Sequence, residues 1–477
     1  MTVREQILTG LKWTAGGRLG AQVITWAITL IVMRLLTPED YGLLAMANVF
    51  FAFMLMLSEA GLGPALIQKK NLDNTSLRSV FAIIILTNAS MLLLLNLSAP
   101  IIATFFNENR LIPILHVLSL QFLLNIFSTL PSSQLYRQLK FKSLSLINFS
   151  TTIIGSILTL LMAYAQLGVW ALVLGNLLAS MLNVIAINII SPSFLLPRFS
   201  LSGMRNLLSF GGNVTLSRLL WFFYAQADTA IVGKFLGKEI LGFYSIAMQL
   251  ASLPVQRVSA IINQVAFPVF SRIQDNQEQF CSFILKAARV LSLIAFPILW
   301  GIASIANEII LLFLGEKWQS AILPLQLLAL MMPLRVLVHF LPSAVDALGR
   351  PDVTMRNSLY ASIIMPIAFL IGCHWGLDGV ALSWVIAYPL VFFINIYRML
   401  QVIGLQLSDF FYAIMPAMGT TIGMYLAVWA TATLLTNNID QWIKLPIMIV
   451  TGVLAYASLT LLFNKRGYRE VIDLIRR

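Results

Sequence analysis

The chain has 477 residues, of which 59% are hydrophobic and 10% charged, with a mean hydropathy of +0.87 and a formal charge of +12. A soluble globular chain carries about 25% charged residues, so water is the wrong solvent for most of this one. Its 31 Lys and Arg are scattered over many short breaks and build no single basic patch, which argues against a nucleic-acid partner.

A hydrocarbon core of roughly 30 Å requires about 20 apolar residues per spanning helix. Runs of that kind fall at 12–35, 41–66, 77–103, 111–131, 144–166, 168–190, 204–234, 240–266, 281–308, 319–345, 355–374, 378–402, 411–435 and 440–463. They are too long for barrel strands of about 9–11 residues and lack strict apolar/polar alternation, so helices are expected. The reading is an all-α integral membrane protein with about 14 transmembrane helices. The thinnest separation is Gln166-Leu167-Gly168. The first run is not a signal peptide: it is too long, it carries Arg18, and its equivalent recurs inside the chain.

That recurrence has a fixed offset of 200 residues. MRLLTPEDYGLLAMA, from Met33, aligns with GKFLGKEILGFYSIA, from Gly233. Arg34 pairs with Lys234, Leu36 with Leu236, Glu39 with Glu239, Gly42 with Gly242 and Ala47 with Ala247; Leu8, Arg18 and Leu19 match Leu208, Arg218 and Leu219. Six spans separate the copies. Both therefore cross in the same direction, as in transporters built from parallel repeats. The expected architecture is two six-helix lobes, 1–200 and 201–402, related by a pseudo-two-fold axis along the membrane normal. Two extra helices (403–463) and a basic tail (464–477) follow. The repeated segment is expected to be the outer turn between the first two helices of each lobe, with its Gly allowing a tight turn and its charges holding that turn at the water interface.

Lys and Arg set the orientation. About 21 of the 31 fall on the side that holds both termini and about 6 on the other, which is expected to place both termini in the cytoplasm. Cys281 and Cys373 fall near opposite faces and are not expected to pair.

No catalytic constellation stands out. His116, His339 and His374 lie on different spans and supply no metal set. GKFLGKE resembles a phosphate loop only superficially, with three residues between its glycines and no Ser or Thr after Lys238. Ser and Thr within spans are expected to bond backbone carbonyls. What remains are intramembrane charges, which are expensive and usually face a cavity or a partner. At 1.5 Å per residue, Arg18, Arg218, Arg257 and Arg335 lie about 24–25 Å from the outer ends of their spans, with Glu59 at a similar depth. Four guanidinium forks at one level suit a diphosphate. Two alternatives stand beside that reading: snorkelling to headgroups, and pairing of Arg18 with Glu59. Asp228 lies about 9 Å below Lys234, in the outer half. It is a candidate ligand for a coupling ion, H⁺ or Na⁺, or a helix-packing polar group.

MRLLTPEDYGLLAMANVF, LSEAGLGPALIQKK, VAFPVFSRIQDN and FLGEKWQSAILPLQLL resemble segments of bacterial Wzx-type polysaccharide flippases, the colanic-acid exporter branch in particular. That group belongs to the multidrug/oligosaccharidyl-lipid/polysaccharide exporter superfamily. The resemblance covers nearly the whole chain. It implies a V-shaped, two-lobed bundle with a central cavity, and transfer of an undecaprenyl-diphosphate-linked oligosaccharide between leaflets for polysaccharide biosynthesis, beside a polymerase machinery. Glu59 lies in the SEAG segment, where the resemblance implies an acidic residue; the arginines are chosen by depth alone. No enzymatic activity is expected, and no cofactor beyond a coupling ion. The alternative within the superfamily, a cation-coupled multidrug antiporter, would favour acidic cavity residues. A membrane glycosyltransferase or polymerase would need a large non-cytoplasmic loop.

Overall fold

A computed structural model of the chain describes residues 22, 24–59, 74–192, 196–197, 204–435 and 440–476; within these, the side chains of 59, 74–76, 204–221, 257–268, 471–472 and 474–476 lie outside the description. The described residues are helical almost throughout and contain no strand. In hydrocarbon every peptide group needs an internal partner, and a helix supplies it within one segment.

The helices are α1 (Ile24–Leu35), α2 (Pro38–Glu59), α3 (Asn74–Phe106), α4 (Leu111–Arg137), α5 (Phe141–Tyr164), α6 (Val169–Ile190), α7 (Met204–Ile273), α8 (Gln277–Ser304), α9 (Ile322–His339), α10 (Leu341–Ala347), α11 (Pro351–Gly372), α12 (Gly376–Ile403), α13 (Leu407–Leu434), α14 (Gln441–Phe463) and α15 (Lys465–Arg476). Between α8 and α9 the chain passes through Ala306–Ile309, a π turn at Ile310–Leu314 and a 3₁₀ turn at Glu316–Ala321. Ten stretches among the described residues are long and apolar enough to cross a membrane, one of them covering α11 and α12 together. The thin break expected at Gln166-Leu167-Gly168 is real. Gln166 and Gly168 both take positive φ, and α5 and α6 are separate helices.

The helices group into two compact units, Met1–Gly242 and Phe243–Arg477. The division falls at 242, whereas the repeat puts the start of the second lobe at 201. In the first unit α3 packs along α4, α5 along α6, and α4 also along α6. In the second, α8 packs along α9, α11 along α12, and α9 along α12. These are the same pairs shifted by one repeat. The two C-terminal spanning helices attach to the second unit, with α13 lying between α8 and α14. Tyr456 of α14 donates to the Leu293 carbonyl of α8 at 2.7 Å.

Packing inside each unit follows membrane rules. Small residues let α5 and α6 approach closely: a Cβ on Gly155 would meet Ala179, and one on Gly175 would meet Thr159. Thr151 donates to the Ile147 carbonyl at 2.9 Å and Thr421 to the Ala417 carbonyl at 2.7 Å, as expected of hydroxyls within spans. The cores hold Leu95, Leu115 and Phe122 in one unit and Phe296, Trp318, Leu328 and Phe392 in the other. Large aliphatic side chains point outward: Leu97, Ile101, Ile189, Ile386 and Leu434 are each more than 70% exposed. A surface of this kind is suited to lipid tails.

Candidate functional site: the repeated turn and its ring of charges

Both copies of the repeated segment break the helix at the same place with different chemistry. In the first copy, α1 ends at Leu35 and Thr37 caps α2. The Thr37 N–H and Oγ1 donate to Asp40 Oδ2 at 2.9 and 2.7 Å, and the Asp40 N–H returns to Thr37 Oγ1 at 3.3 Å. This is a capping box with Asp in the place of Glu, and Pro38 follows at the first helical position, where its missing N–H costs nothing. In the second copy Gly237 takes φ +83° and ψ 179° and breaks α7 into two helices. A side chain there would be strained, so glycine replaces the Thr–Asp pair as the source of the break.

Gly42 and Gly242 do not form these turns, contrary to the sequence expectation. Both lie within the helices that follow. Their role is close approach. A Cβ on Gly42 would collide with the carbonyl oxygen of Lys238, and a Cβ on Gly242 with the carbonyl oxygen of Pro38. Lys238 is Pro38 plus 200, so the contact is reciprocal: each repeat's glycine rests on the other repeat's first helical residue. It also accounts for where the chain divides, because the segment leading to Gly242 is held by the first unit.

Above this contact stands a closed ring of four charges. Lys238 Nζ reaches Glu108 Oε2 at 2.8 Å and Glu39 Oε2 at 3.5 Å. Arg110 completes the ring, with Nε 3.1 Å from Glu108 Oε1 and Nη2 3.1 Å from Glu39 Oε2. Each cation meets both anions. Glu108 is the least exposed member. Burial pushes its carboxyl up, but hydrogen bonds from Lys238 and Arg110 outweigh burial and hold it below the ordinary value of 4.5. The Arg110 guanidinium is raised above its usual value, first by its hydrogen bond to Glu108. The sequence puts Arg110 and Lys238 on the outer side but does not reveal the ring. One signal of it is present: Asn107-Glu108 and Asn307-Glu308 also obey the 200-residue offset. In the second repeat Glu308, which is buried, pairs instead with Lys444 of α14 at 3.0 Å.

Of the site residues read from depth, Arg18 lies outside the described residues. Arg218 and Arg257 lie on α7, and Glu59 is the last residue of α2, but their side chains are not described. Arg335 of α9 is half-buried. Its guanidinium lies 5.0 Å over the ring of Trp384 on α12, a cation–π distance, and Nη1 reaches Met332 Sδ at 3.7 Å. Trp384 in turn donates its indole N–H to Tyr244 Oη at 2.8 Å. Arg335 Nε is buried and meets no hydrogen-bond partner among the described residues. One face of this arginine is therefore committed to an aromatic ring. Asp228 of α7 is buried, and Oδ1 accepts the Thr229 N–H at 2.7 Å.

Long apolar helices packed in the same pairs in each unit, with the repeated turns in reciprocal contact, are the marks of a membrane-transporter fold. The solved structure of a lipid II flippase, MurJ, in an inward closed conformation superimposes on this chain with TM-score 0.73 at 17% identity, covering 96% of this chain and 99% of that one. An inward-facing MATE family multidrug resistance transporter of the MOP superfamily matches with TM-score 0.60 at 14% identity, covering 80% and 95%. Both likenesses concern the fold alone.

The sequence adds the family. Residues 31–323 match the family described as polysaccharide biosynthesis protein, and the chain belongs to it. The teichuronic acid biosynthesis protein TuaB of Bacillus subtilis (strain 168) is 26% identical over 466 residues, covering 96% of each chain. The lipopolysaccharide biosynthesis protein WzxC of Escherichia coli (strain K12) is 26% identical over 467 residues, covering 95% of this chain and 88% of that one.

Proposed function

We propose that the chain is a flippase that carries undecaprenyl-diphosphate-linked oligosaccharide units from the cytoplasmic to the outer leaflet of a bacterial inner membrane, for polysaccharide assembly outside. The observation that carries this reading is the reciprocal contact of the two repeated turns, in a chain of the polysaccharide biosynthesis family. Parting and reclosing of these paired turns would give the alternating access that such transport requires. The ring of Glu39, Glu108, Arg110 and Lys238 then closes the outer end of the path. A sugar chain cannot cross hydrocarbon unaided, because its hydroxyls would lose their water partners.

The finer parts of the reading follow from it. The ten apolar stretches become fourteen spans when α11 and α12 are counted separately and α1 and the two halves of α7 are added. Both termini are cytoplasmic, in line with the distribution of Lys and Arg. Arg18, Arg218 and Arg257 receive the diphosphate at the cytoplasmic half of a central cavity. Arg335, packed on Trp384, offers the remaining edge of its fork to the same group. Asp228 is the ligand for H⁺ or Na⁺, and Asp228→Asn removes gradient dependence while leaving binding intact. The chain performs no covalent chemistry and hands its cargo to a polymerase machinery. The multidrug-antiporter alternative shares the fold but would take cationic drugs rather than a diphosphate.

Reconstitution tests the proposal. Purified chain in vesicles containing a fluorescent undecaprenyl-diphosphate oligosaccharide is expected to expose the lumenal pool to a membrane-impermeant quencher. Arg257→Ala slows exposure about tenfold or more, the scale of one hydrogen bond to a charged group. Exposure no faster than in protein-free vesicles, together with proton flux driven by a cationic drug, would establish the antiporter reading instead.

A further inference from the structure

The last described helix is set apart from everything above it. α14 ends at Phe463, and Asn464 is the single residue between it and α15. Asn464 Oδ1 accepts the Gly467 N–H at 3.2 Å, which starts α15 at once. Leu461, Leu462 and Phe463 are exposed, as lipid-facing residues at the end of a spanning helix would be. The chain therefore turns into α15 where the hydrocarbon ends.

An ion pair anchors α15 there. Arg289 of α8 holds Glu470 with both oxygens: Nε donates to Oε1 at 3.1 Å and Oε2 at 2.9 Å, and Nη2 donates to Oε1 at 2.8 Å. Both side chains are largely buried. A two-pronged guanidinium–carboxylate pair fixes rotation as well as position. With Glu470 turned toward α8, the exposed charges of α15 are Lys465, Arg466 and Arg469, against Asp473 alone among its described side chains. Arg466 Nε also lies 3.6 Å from Glu470 Oε1 and remains 77% exposed.

We propose that α15 is a membrane-surface clamp that binds the headgroups of anionic phospholipids through Lys465, Arg466 and Arg469, with the Arg289–Glu470 pair holding that cationic face at headgroup level. The occupant is chosen by position and charge. Three cations one residue past a spanning helix lie within a Debye length of the headgroups, where an anionic leaflet attracts each of them. The inference does not depend on what the chain transports.

The test uses the full chain in vesicles, with Cys281 and Cys373 replaced by Ser and a fluorophore on Asp473→Cys. Quenching is compared for phosphatidylglycerol and phosphatidylcholine carrying a nitroxide near the glycerol, each at the same mole fraction. The expected result is at least threefold stronger quenching by the phosphatidylglycerol. That preference is lost in Lys465→Gln/Arg466→Gln/Arg469→Gln and at high salt, and is retained in Arg466→Lys/Arg469→Lys. Glu470→Gln also reduces it, because the face is no longer held in place. An unchanged thermal melting temperature of the triple variant separates lost binding from lost folding. Equal quenching by both lipids in the parent, as a face for a soluble protein would give, overturns the proposal. So does a preference that survives the triple variant.

Discussion

Glu108 and Glu308 occupy the same place in the two repeats and hold different partners. Glu108 binds Lys238 and Arg110 beside the paired turns. Glu308 binds Lys444 of α14, one of the two helices added after the repeats. Neither cation of Glu108 recurs under the offset, and the counterpart of Arg110 is Ile310. Where the second repeat has Lys238, the first has Pro38, opening α2 behind the Thr37–Asp40 capping box. No cation stands at that point of the first copy, and Glu308 is taken up by the C-terminal pair instead. A duplicated carboxylate thus keeps its position in the fold while its partner changes its role. In the proposed cycle Glu108 belongs to a contact that breaks, Glu308 to one that persists.

The largest expected effect comes from breaking the persistent pair. Lys444→Gln leaves the buried Glu308 carboxylate without its cation, which costs about 3 kcal/mol or more where such pairs are broken. Thermal unfolding in detergent should show a marked loss of stability, while Glu308→Gln/Lys444→Gln recovers most of it. If Lys444→Gln melts like the parent, α14 is not fastened by this pair.

Next comes the reciprocal contact. Gly242→Val drives a branched side chain into the Pro38 carbonyl and should force the turns apart. A single cysteine introduced at Thr37, in a background without Cys281 and Cys373, should then label faster from outside. Gly237→Ala opposes a positive φ with nothing near the new methyl, so it should strain the break without separating the turns. Equal labelling in these two variants would remove the distinction between close approach and turn formation.

The ring itself is worth less. Its members are partly exposed and screened, so Glu108→Gln should shift the outer opening by about 1 kcal/mol, roughly fivefold in labelling rate. Exchange of all four charges, Glu39→Lys and Glu108→Lys with Arg110→Glu and Lys238→Glu, keeps every contact of opposite sign and should restore much of the parent rate, and failure of that rescue would mean that the pairing does not govern opening. The smallest effect is that of pH. Because the Glu108 carboxyl is held below its ordinary value of 4.5, the ring's contribution is fully present above that value and is lost only as pH falls through the lower, folded value. Labelling divided by the rate of a free thiol at the same pH should be flat from about pH 7 to 5 and rise only in stronger acid. A rise near neutral pH would point to a different group.

The apolar character of the ten long stretches and the 200-residue offset were legible in the sequence because both are matters of local hydrophobicity and register. Even the thin break at Gln166-Leu167-Gly168 could be read, since Gly168 takes a positive φ there. The role of Gly42 could not. A glycine after Thr-Pro-Glu-Asp-Tyr reads as part of the turn, and only the approach of the Lys238 carbonyl, far along the chain, shows why no side chain fits. The Glu108–Lys238 pair is hidden for the same reason: charge pairing across 130 residues leaves no local pattern. Depth along a helix put Arg335 at its level but gave no indication that Trp384 would cover one of its faces. For Arg18, Arg218 and Arg257 depth remains the argument, and the face each arginine presents is a question for the transport assay.

The central claim is that the paired turns must part for cargo to leave. In the cysteine-free background, Glu39→Cys and Lys238→Cys can be joined by a short, reducible bifunctional thiol reagent and the protein assayed for exposure of fluorescent undecaprenyl-diphosphate oligosaccharide in vesicles. The joined protein should stop exposing substrate and should recover on reduction, while each single variant treated with the same reagent keeps its activity. Full exposure by protein shown to be joined would mean that the outer contact is static and that the substrate leaves by another route.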